Sequence, residues 1–118
     1  MGIIVQKFGG TSVSTAAMRE AAVKRVQEAL SRGLKPVVVV SAMGREGEPY
    51  ATDTLKGLAE GIYPQLPLRE LDLVMGCGEI ISAVVFTATL YRSGIKAAAL
   101  TGAQAGLVTD GIYSEARV

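Results

Sequence analysis

The pattern of apolar and polar positions at the start of the chain predicts a strand, a helix and a second strand. Residues 3–8, IIVQKF, are rich in β-branched side chains and precede two glycines, which favours a strand. Residues 15–32 carry apolar side chains at helical spacing, and Ser14 or Thr15 can serve as the N-cap. Residues 36–41, PVVVVS, lack polar alternation, as strands covered on both faces of a parallel sheet do. The order of these elements predicts a right-handed βαβ unit.

The middle of the chain predicts a loop followed by three helices. Residues 42–51, AMGREGEPYA, combine glycines, a proline and charged side chains, so we expect a mobile loop. Apolar positions within residues 55–62 predict a short helix. Pro67 suits the first turn of another helix that ends near residue 75. Residues 79–93 are apolar nearly all round, which predicts a third helix that is buried.

The last part of the chain predicts further strands. Residues 95–102, IKAAALTG, favour a third buried strand. Asp110 and Gly111 lie between two strand-like pairs, which is a strong hairpin signal. The final residues carry neither a helix stop nor a polar tail and look like an interrupted strand. We therefore expect residues 1–118 to be part of a larger domain.

Composition and charge limit the classes of protein that the chain can represent. Its 118 residues are 49% hydrophobic and 19% charged, which suits one domain with one core. A formal net charge of +1 gives no support to nucleic-acid or membrane binding. No apolar stretch approaches the ~20 residues that span a bilayer, and no signal-peptide pattern is visible. The single cysteine, Cys77, fits a reducing cytoplasm and is expected to be a small buried side chain.

The residue types that are missing narrow the chemistry. The sequence contains no histidine, so imidazole can serve neither as a base nor as a metal ligand within this chain. Ser-His-Asp and Cys-His arrangements of its own residues are thereby excluded. Carboxylates are scattered and the pair C-x-x-C is absent, so we expect no metal site built from protein ligands alone.

A glycine turn directly after the first predicted strand is the strongest local signal for chemistry. In KFGGTS, residues 7–12, the two glycines let backbone N–H groups approach an anion, and the following helix adds its partial positive charge. Lys7 supplies a full positive charge, and the two hydroxyl groups are further donors. The segment predicts a phosphate cradle, with an ordinary tight turn as the alternative. It is neither a Walker A loop nor a dinucleotide fingerprint, because their glycine spacing is absent.

A set of motifs that extends from end to end of the chain resembles the aspartate kinases of the amino acid kinase family. Related kinases of glutamate, acetylglutamate, carbamate or UMP share the lysine and the glycine turn in looser form, and we do not expect them to carry KFGGTSV and LTGAQAG together. The motifs, in chain order, are KFGGTSV (7–13), VVVVSAMG (37–44), TDTL (52–55), CGEIISA (77–83), AAALTGAQAG (97–106) and VTDG (108–111).

This resemblance implies an activity and a fold. The activity is transfer of the γ-phosphate of ATP, with Mg²⁺, to the side-chain carboxylate of L-aspartate, in the synthesis of lysine (through diaminopimelate), threonine and methionine. That carboxylate is ionised near neutral pH and needs no general base, which agrees with the lack of histidine. The implied fold is α/β, a three-layer α/β/α sandwich around a mainly parallel sheet, of which this chain is an incomplete N-terminal part.

For the nucleotide, the resemblance assigns Lys7 a catalytic role as the cation that bridges the ATP phosphates. The alternative for Lys7 is a lysine at the end of a strand that simply reaches solvent. The other residues that the resemblance places in the phosphate-binding turn are Phe8, Gly9, Gly10, Thr11 and Ser12.

The resemblance assigns the binding of the substrate aspartate to Ser41, Thr52 and Glu79. Ser41 ends a predicted strand, where ligands of open α/β sheets gather, and its alternative role is in a turn or cap. Thr52 opens a predicted helix, so N-capping is its alternative. Glu79 is implied to bind the α-amino group. It lies in an apolar neighbourhood at a predicted helix start, where the helix dipole and a ligand ammonium would offset the cost of burying a carboxylate. Its alternative is a first-turn glutamate that only complements the dipole.

The chain departs from the family in one large respect, because it resembles only about the first half of the kinase domain. The other half of the family's kinase domain contains the nucleotide-base pocket, a second lysine, a catalytic aspartate and a substrate-binding arginine. The family's regulatory ACT domains follow the kinase domain. We therefore expect the chain alone to be inactive, and expect a homo-oligomer or association with the rest of the kinase chain. The competing interpretation is an incomplete α/β piece that acts only as a binding or assembly module, and a dinucleotide-binding domain is the weakest rival.

Overall fold

The structure, a computed structural model, describes residues 2–118. Its regular elements within these residues, in chain order, are β1 (Ile3–Phe8), a 3₁₀ turn (Gly10–Ser12), α1 (Ala16–Ser31), β2 (Lys35–Val40), α2 (Thr52–Glu60) and α3 (Leu68–Arg92).

The two strands pair in parallel, with Ile3 opposite Lys35 and Phe8 opposite Val40. Parallel strands need a crossover connection, and α1 supplies it. The helix begins where the sequence predicts, because the Thr15 side chain accepts a hydrogen bond from the amide of Met18 at 3.2 Å. The predicted strand, helix and second strand are therefore confirmed, and so is the α/β class with a parallel sheet.

One face of the sheet packs against α1 and α3 and forms the core. Phe8 points to this face, and its ring stacks on that of Phe86 in α3 with centroids 5.7 Å apart. Val38 and Val40 pack against the same cluster. The buried apolar side chains of this cluster, from α1, α3 and the segments beside them, are Val13, Ala22, Val23, Val26, Met43, Phe86 and Leu90.

The other face of the sheet is apolar and exposed. Ile3, Val5, Val37 and Val39 alternate with the core residues and are 71%, 67%, 50% and 44% exposed. The prediction that β2 is covered on both faces is wrong for residues 2–118, because α1 and α3 pack on the same side. The described residues thus form the sheet and one helical layer of the expected sandwich.

The two helices predicted for residues 67–75 and 79–93 are a single 25-residue helix, α3. Gly76 and Gly78 do not interrupt it, because a glycine costs only about 1 kcal/mol inside a helix and packing overrides so small a penalty. The helix is also less buried than predicted. Ile80 and Val84 are 49% and 55% exposed, so in residues 2–118 only one side of α3 contacts the core.

Helix α3 also corrects the prediction that no apolar stretch is long enough to cross a membrane. Among the helices in residues 2–118 it alone has sufficient length and apolar composition, with a mean hydropathy of 1.9 over an 18-residue window. Core helices of α/β domains often pass the same test. Contacts of α3 with α1, α2 and β2 place it within such a domain here.

The strands predicted after α3 do not form within the described residues. Residues 95–101 have no regular secondary structure and Gly102 lies in a turn; Ile95 and Ala97 pack against the core, but no described strand pairs with this segment. The chain does turn at Asp110, whose carboxylate accepts the amide of Ile112 at 3.1 Å. Only one hydrogen bond, from the amide of Asp110 to the carbonyl of Arg117, closes this turn, so the predicted hairpin is wrong.

Candidate functional site

The parallel register brings the two segments that follow the strands together. Phe8 and Val40 are partners at the ends of β1 and β2, and the amide of Ser41 donates to the carbonyl of Phe8 at 3.2 Å. The amide of Gly44 then donates to the carbonyl of Gly10 at 3.0 Å. The 3₁₀ turn and the loop of residues 41–51 therefore meet at the carboxyl edge of the sheet, where α/β proteins bind ligands.

Close backbone contact between the turn and the loop requires a glycine at position 10. A Cβ atom on Gly10 would lie 2.7 Å from the carbonyl oxygen of Ala42 and 2.9 Å from that of Gly44. Both neighbours are backbone atoms, so neither can rotate away. The second glycine of the motif thus permits the approach of two backbones, which is one of the functions that glycine serves.

Hydrogen bonding gives the turn a polarity that suits an anion. Within residues 2–118 the carbonyls of Gly9, Gly10 and Thr11 accept hydrogen bonds from Ser12, Gly44 and Ser14 at 3.0 Å, and the carbonyl of Val13 accepts one from Arg19 at 2.9 Å. The amides of Gly9, Gly10 and Thr11 form no hydrogen bond with any described residue. Unpaired amides beside paired carbonyls present partial positive charge, as anion-binding turns do.

The two residues before the turn point to opposite faces of the sheet. Lys7 is exposed and lies on the same face as Val5, whereas Phe8 points into the core and stacks on Phe86. A contact between Phe8 and a phosphate would therefore involve its backbone and not its ring. Lys7 is free to reach a ligand at the edge of the sheet.

Ser41 and Thr52 bracket the loop at its two ends. Ser41 follows β2 directly and is half-buried, and Thr52 is the exposed first residue of α2. The N-cap of α2 is Ala51, so the alternative in which Thr52 caps the helix is not realised. It is Thr54 that ties the loop to α2, by accepting a hydrogen bond from the amide of Gly47 at 3.2 Å.

Glu79 lies well inside α3 and is exposed, which removes two physical reasons for its predicted role. No burial cost needs to be offset in the described residues, and the first turn of the helix is too far away for its dipole to act. The neighbouring Gly78 is buried. A Cβ atom there would lie 2.8 Å from Leu55 Cδ1, 3.0 Å from the carbonyl oxygen of Tyr50 and 3.2 Å from Ala42 Cβ.

These contacts unite most of the residues predicted from sequence. Ala42 follows Ser41, Leu55 lies one turn after Thr52, and Gly78 precedes Glu79, so the three segments that carry Ser41, Thr52 and Glu79 meet around Gly78. The turn joins this group through Gly10 and Gly44. Sequence reasoning missed the contributions of Thr54, Gly78 and Arg19. Thr54 and Gly78 lie within the motifs TDTL and CGEIISA, which marked their segments, whereas Arg19 lies in no motif.

Other residues weighed from the sequence have mixed outcomes. Cys77 is exposed, contrary to prediction, because it lies on the side of α3 that faces away from the core. Met43 is buried in the core cluster. The Gln104 side chain bonds locally, accepting from the amide of Thr101 at 3.0 Å. In residues 2–118 no three His, Cys, Asp or Glu side chains lie together as a metal-binding group.

Comparison with known proteins identifies relatives over the whole chain. Residues 2–117 match the amino acid kinase family. The chain is 56% identical over 118 residues to aspartokinase 1 of Bacillus subtilis and 42% identical to the aspartokinase of Geobacillus stearothermophilus. All of this chain aligns in both cases, but it covers only 29% and 28% of those proteins.

A solved structure agrees with this relationship. The crystal structure of aspartate kinase from Synechocystis superposes with a TM-score of 0.69 and 39% sequence identity, over 79% of this chain and 15% of that one. An α/β fold with a parallel sheet is thus common to both. Because the family match includes both strands, all three described helices and the turn between β1 and α1, the chain belongs to the amino acid kinase family.

Proposed function

We propose that the protein carrying this chain is an aspartate kinase, which converts ATP and L-aspartate to ADP and 4-phospho-L-aspartate. The observation that carries the proposal is the turn after β1, in which the carbonyls of Gly9, Gly10 and Thr11 are paired within the protein and the amides of the same three residues are not. Support also comes from the relatives, which are named aspartokinases. Since the chain spans less than a third of their length, the activity is proposed for the whole protein.

The phosphates of ATP would bind at the turn. The unpaired amides of Gly9, Gly10 and Thr11 can each donate to a phosphate oxygen, and Ser12 can add its hydroxyl. Phe8 contributes only backbone, because its ring is packed in the core. Lys7, exposed at the end of β1, would bridge the phosphates and neutralise the charge that develops during transfer.

Aspartate would bind on the other side of the loop. The Ser41 and Thr52 hydroxyl groups are suited to hydrogen-bond the substrate, and the Glu79 carboxylate is suited to pair with the α-ammonium group. The packing of Gly78 against Ala42 and Leu55 supports this assignment, because it brings the segments that carry all three residues into contact.

The reaction needs alignment and charge neutralisation more than acid–base catalysis. A side-chain carboxylate oxygen of aspartate attacks the γ-phosphorus, the bond from that phosphorus to the bridging oxygen breaks, and ADP leaves with the electron pair. No proton has to be removed, so a chain without histidine can contribute to this site. Two anions must nevertheless be held in line, which is the task of Lys7 and the turn amides.

Mg²⁺ is expected to accompany ATP. Residues 2–118 do not supply a set of protein ligands for it, so ATP phosphate oxygens and water would provide most of its coordination. The loop of residues 42–51 would help to exclude water from the reacting groups. The setting proposed for this chemistry is cytoplasmic synthesis of lysine, threonine and methionine, in an oligomer or in association with the rest of the kinase chain.

A second candidate function is that of a catalytically incomplete binding or assembly module. It is favoured by the uncovered face of the sheet, where Ile3 and Val5 are 71% and 67% exposed. In residues 2–118 this apolar face has no covering layer. A piece of this kind would retain the phosphate turn and act only when joined to another segment.

The test uses a chimera in which this chain replaces the matching segment of B. subtilis aspartokinase 1. Coupled ADP release in the presence of ATP and Mg²⁺ is expected to depend on L-aspartate, and Lys7→Met is expected to abolish it. Lys24→Met, in the middle of α1, is the matched control and should have no effect. A folded chimera that releases no ADP in response to aspartate would exclude the proposed function.

Complementation separates the two candidates. The isolated chain is expected to be inactive, and mixing it with the separately produced remainder of the relative should restore aspartate-dependent activity under the kinase proposal. Association of the two pieces without any recovery of activity would favour the assembly module.

A further inference from the structure

We propose that Arg19 is a positioning residue that holds the phosphate turn and the loop of residues 41–51 in one arrangement, so that ATP and aspartate sites form together. The inference rests on the proposed function but names a residue that the motifs do not contain. It is drawn from two contacts of one side chain in α1 and from the cleft beside that side chain.

The first contact fixes the end of the turn. Arg19 Nη1 donates to the carbonyl oxygen of Val13 at 2.9 Å. Val13 directly follows the 3₁₀ turn and is fully buried, so with Arg19 in place its carbonyl is shielded from solvent and depends on the guanidinium for a donor. The turn is thus held at Gly10 by Gly44 and at Val13 by Arg19.

The second contact reaches the loop. The same nitrogen, Arg19 Nη1, lies 3.8 Å from the sulfur atom of Met43, which is buried and adjacent to Gly44. A path of contacts therefore runs from Gly10 through Gly44 and Met43 to Arg19, and back to the turn at Val13. Displacing Arg19 would remove the polar contacts that connect α1 to the turn and to the loop.

The third feature is the cleft beside the guanidinium. Arg19 lines a cleft of about 340 Å³ together with Glu48, Tyr50 and Val85. Two of these residues belong to the loop and one to α3, so the charged group stands where three parts of the site meet. A half-buried arginine at such a point is suited to hold several elements, because its planar group offers five N–H donors.

The positioning role predicts a specific kinetic pattern in the same chimera. Arg19→Met removes both contacts, and kcat/KM for ATP and for aspartate should fall together, by about tenfold to a hundredfold, as expected for loss of a charge-assisted hydrogen bond. Arg19→Lys retains a cation that can reach the Val13 carbonyl, so its values should lie between those of the chimera and Arg19→Met. An arginine that only stabilises α1 would change the melting temperature without this joint loss.

Arg25→Met is the matched control. Arg25 lies on the same helix and is exposed, and among the described residues its side chain pairs only with Glu28, so both specificity constants should stay within about twofold of the parent values. Circular dichroism and thermal melting establish that each variant is folded. If Arg19→Met is unfolded, Arg19→Lys decides: joint intermediate values support the proposal, and parent values for both substrates overturn it.

The remaining outcomes are equally decisive. A folded Arg19→Met chimera with unchanged kinetics would overturn the positioning role, and so would a loss confined to one substrate. An inactive parent chimera would instead refute the proposed function, before Arg19 is tested. The two failures are therefore distinguishable.

Discussion

The amide of Gly44 donates to the carbonyl of Gly10 at 3.0 Å, and this bond joins the turn after β1 to the loop after β2. Its position follows from the sheet, because Phe8 and Val40 are register partners and each segment leaves its strand at the same edge. By occupying the carbonyl of Gly10, the bond also leaves the neighbouring amides as the polar groups available to a ligand. The proposed phosphate site thus depends on the pairing of the two strands.

Gly10→Ala should disrupt this junction. The added Cβ would approach the carbonyl oxygens of Ala42 and Gly44 to 2.7 and 2.9 Å, and a backbone must move to accommodate it. We expect the free energy of unfolding to fall by about 1–3 kcal/mol, and kcat/KM of the chimera to fall about a hundredfold, because the turn and loop would be misplaced. Urea denaturation and ADP-release kinetics measure the two effects.

The control for this variant is Gly57→Ala in α2, where a Cβ has no neighbour within 4 Å. Alanine is favoured over glycine in a helix by about 1 kcal/mol, so this variant should be as stable as the parent or more stable. Equal stability of Gly10→Ala and the parent would contradict the close approach of the two backbones.

Two glycines of α3 should respond oppositely to the same substitution. Gly78→Ala would place a Cβ 2.8 Å from Leu55 Cδ1 and 3.0 Å from the carbonyl oxygen of Tyr50, whereas a Cβ on Gly76 meets nothing within 4 Å. Gly78→Ala is therefore expected to destabilise the protein by about 1–3 kcal/mol, and Gly76→Ala to stabilise it by up to about 1 kcal/mol. Thermal and urea unfolding of both variants check this, and a change of the same sign in both would be inconsistent with it.

Glu79→Gln should affect aspartate selectively. The substitution keeps the shape of the side chain but removes the charge that would pair with the α-ammonium group, so KM for aspartate should rise about tenfold to a hundredfold. KM for ATP and the melting temperature should not change, since Glu79 is exposed. Glu28→Gln, an exposed glutamate on α1, is the control. An unchanged KM for aspartate would remove Glu79 from the site.

The uncovered sheet face predicts that the isolated chain self-associates. Val5 and Val37 are cross-strand partners on that face and are 67% and 50% exposed. Replacing them with lysine and glutamate gives an opposite-charge pair, which should reduce association in size-exclusion chromatography. In the chimera the same double substitution should be destabilising, because that face would be covered there. A monomeric parent chain would show that the exposed face does not drive association.

Local sequence patterns were sufficient to predict the elements in the first half of the fold. The β-branched runs, the helical spacing between them and the Thr15 cap predicted β1, α1 and β2 nearly to the residue, and the glycine turn located the meeting point of the site. These features depend on neighbours in sequence or on the geometry of a parallel pair, both of which leave a pattern in the chain.

The remaining features depend on contacts distant in sequence. Helix α3 continues through Gly76 and Gly78, and Gly78 packs against Ala42 and Leu55, contacts that no local pattern reveals. The predicted strand at residues 95–102 lacks a neighbour within the described residues, although its apolar side chains reach the core. The expected burial of Glu79 rests on apolar neighbours in sequence, but helical side chains so close in sequence point in different directions.

The most direct test of the phosphate and aspartate sites is a crystal structure of the chimera with a non-hydrolysable ATP analogue, Mg²⁺ and aspartate. We expect phosphate oxygens within hydrogen-bonding distance of the Gly9, Gly10 and Thr11 amides and of Lys7 Nζ, and the α-ammonium group of aspartate beside Glu79. A nucleotide bound elsewhere, with the turn amides facing only water, would contradict the central claim.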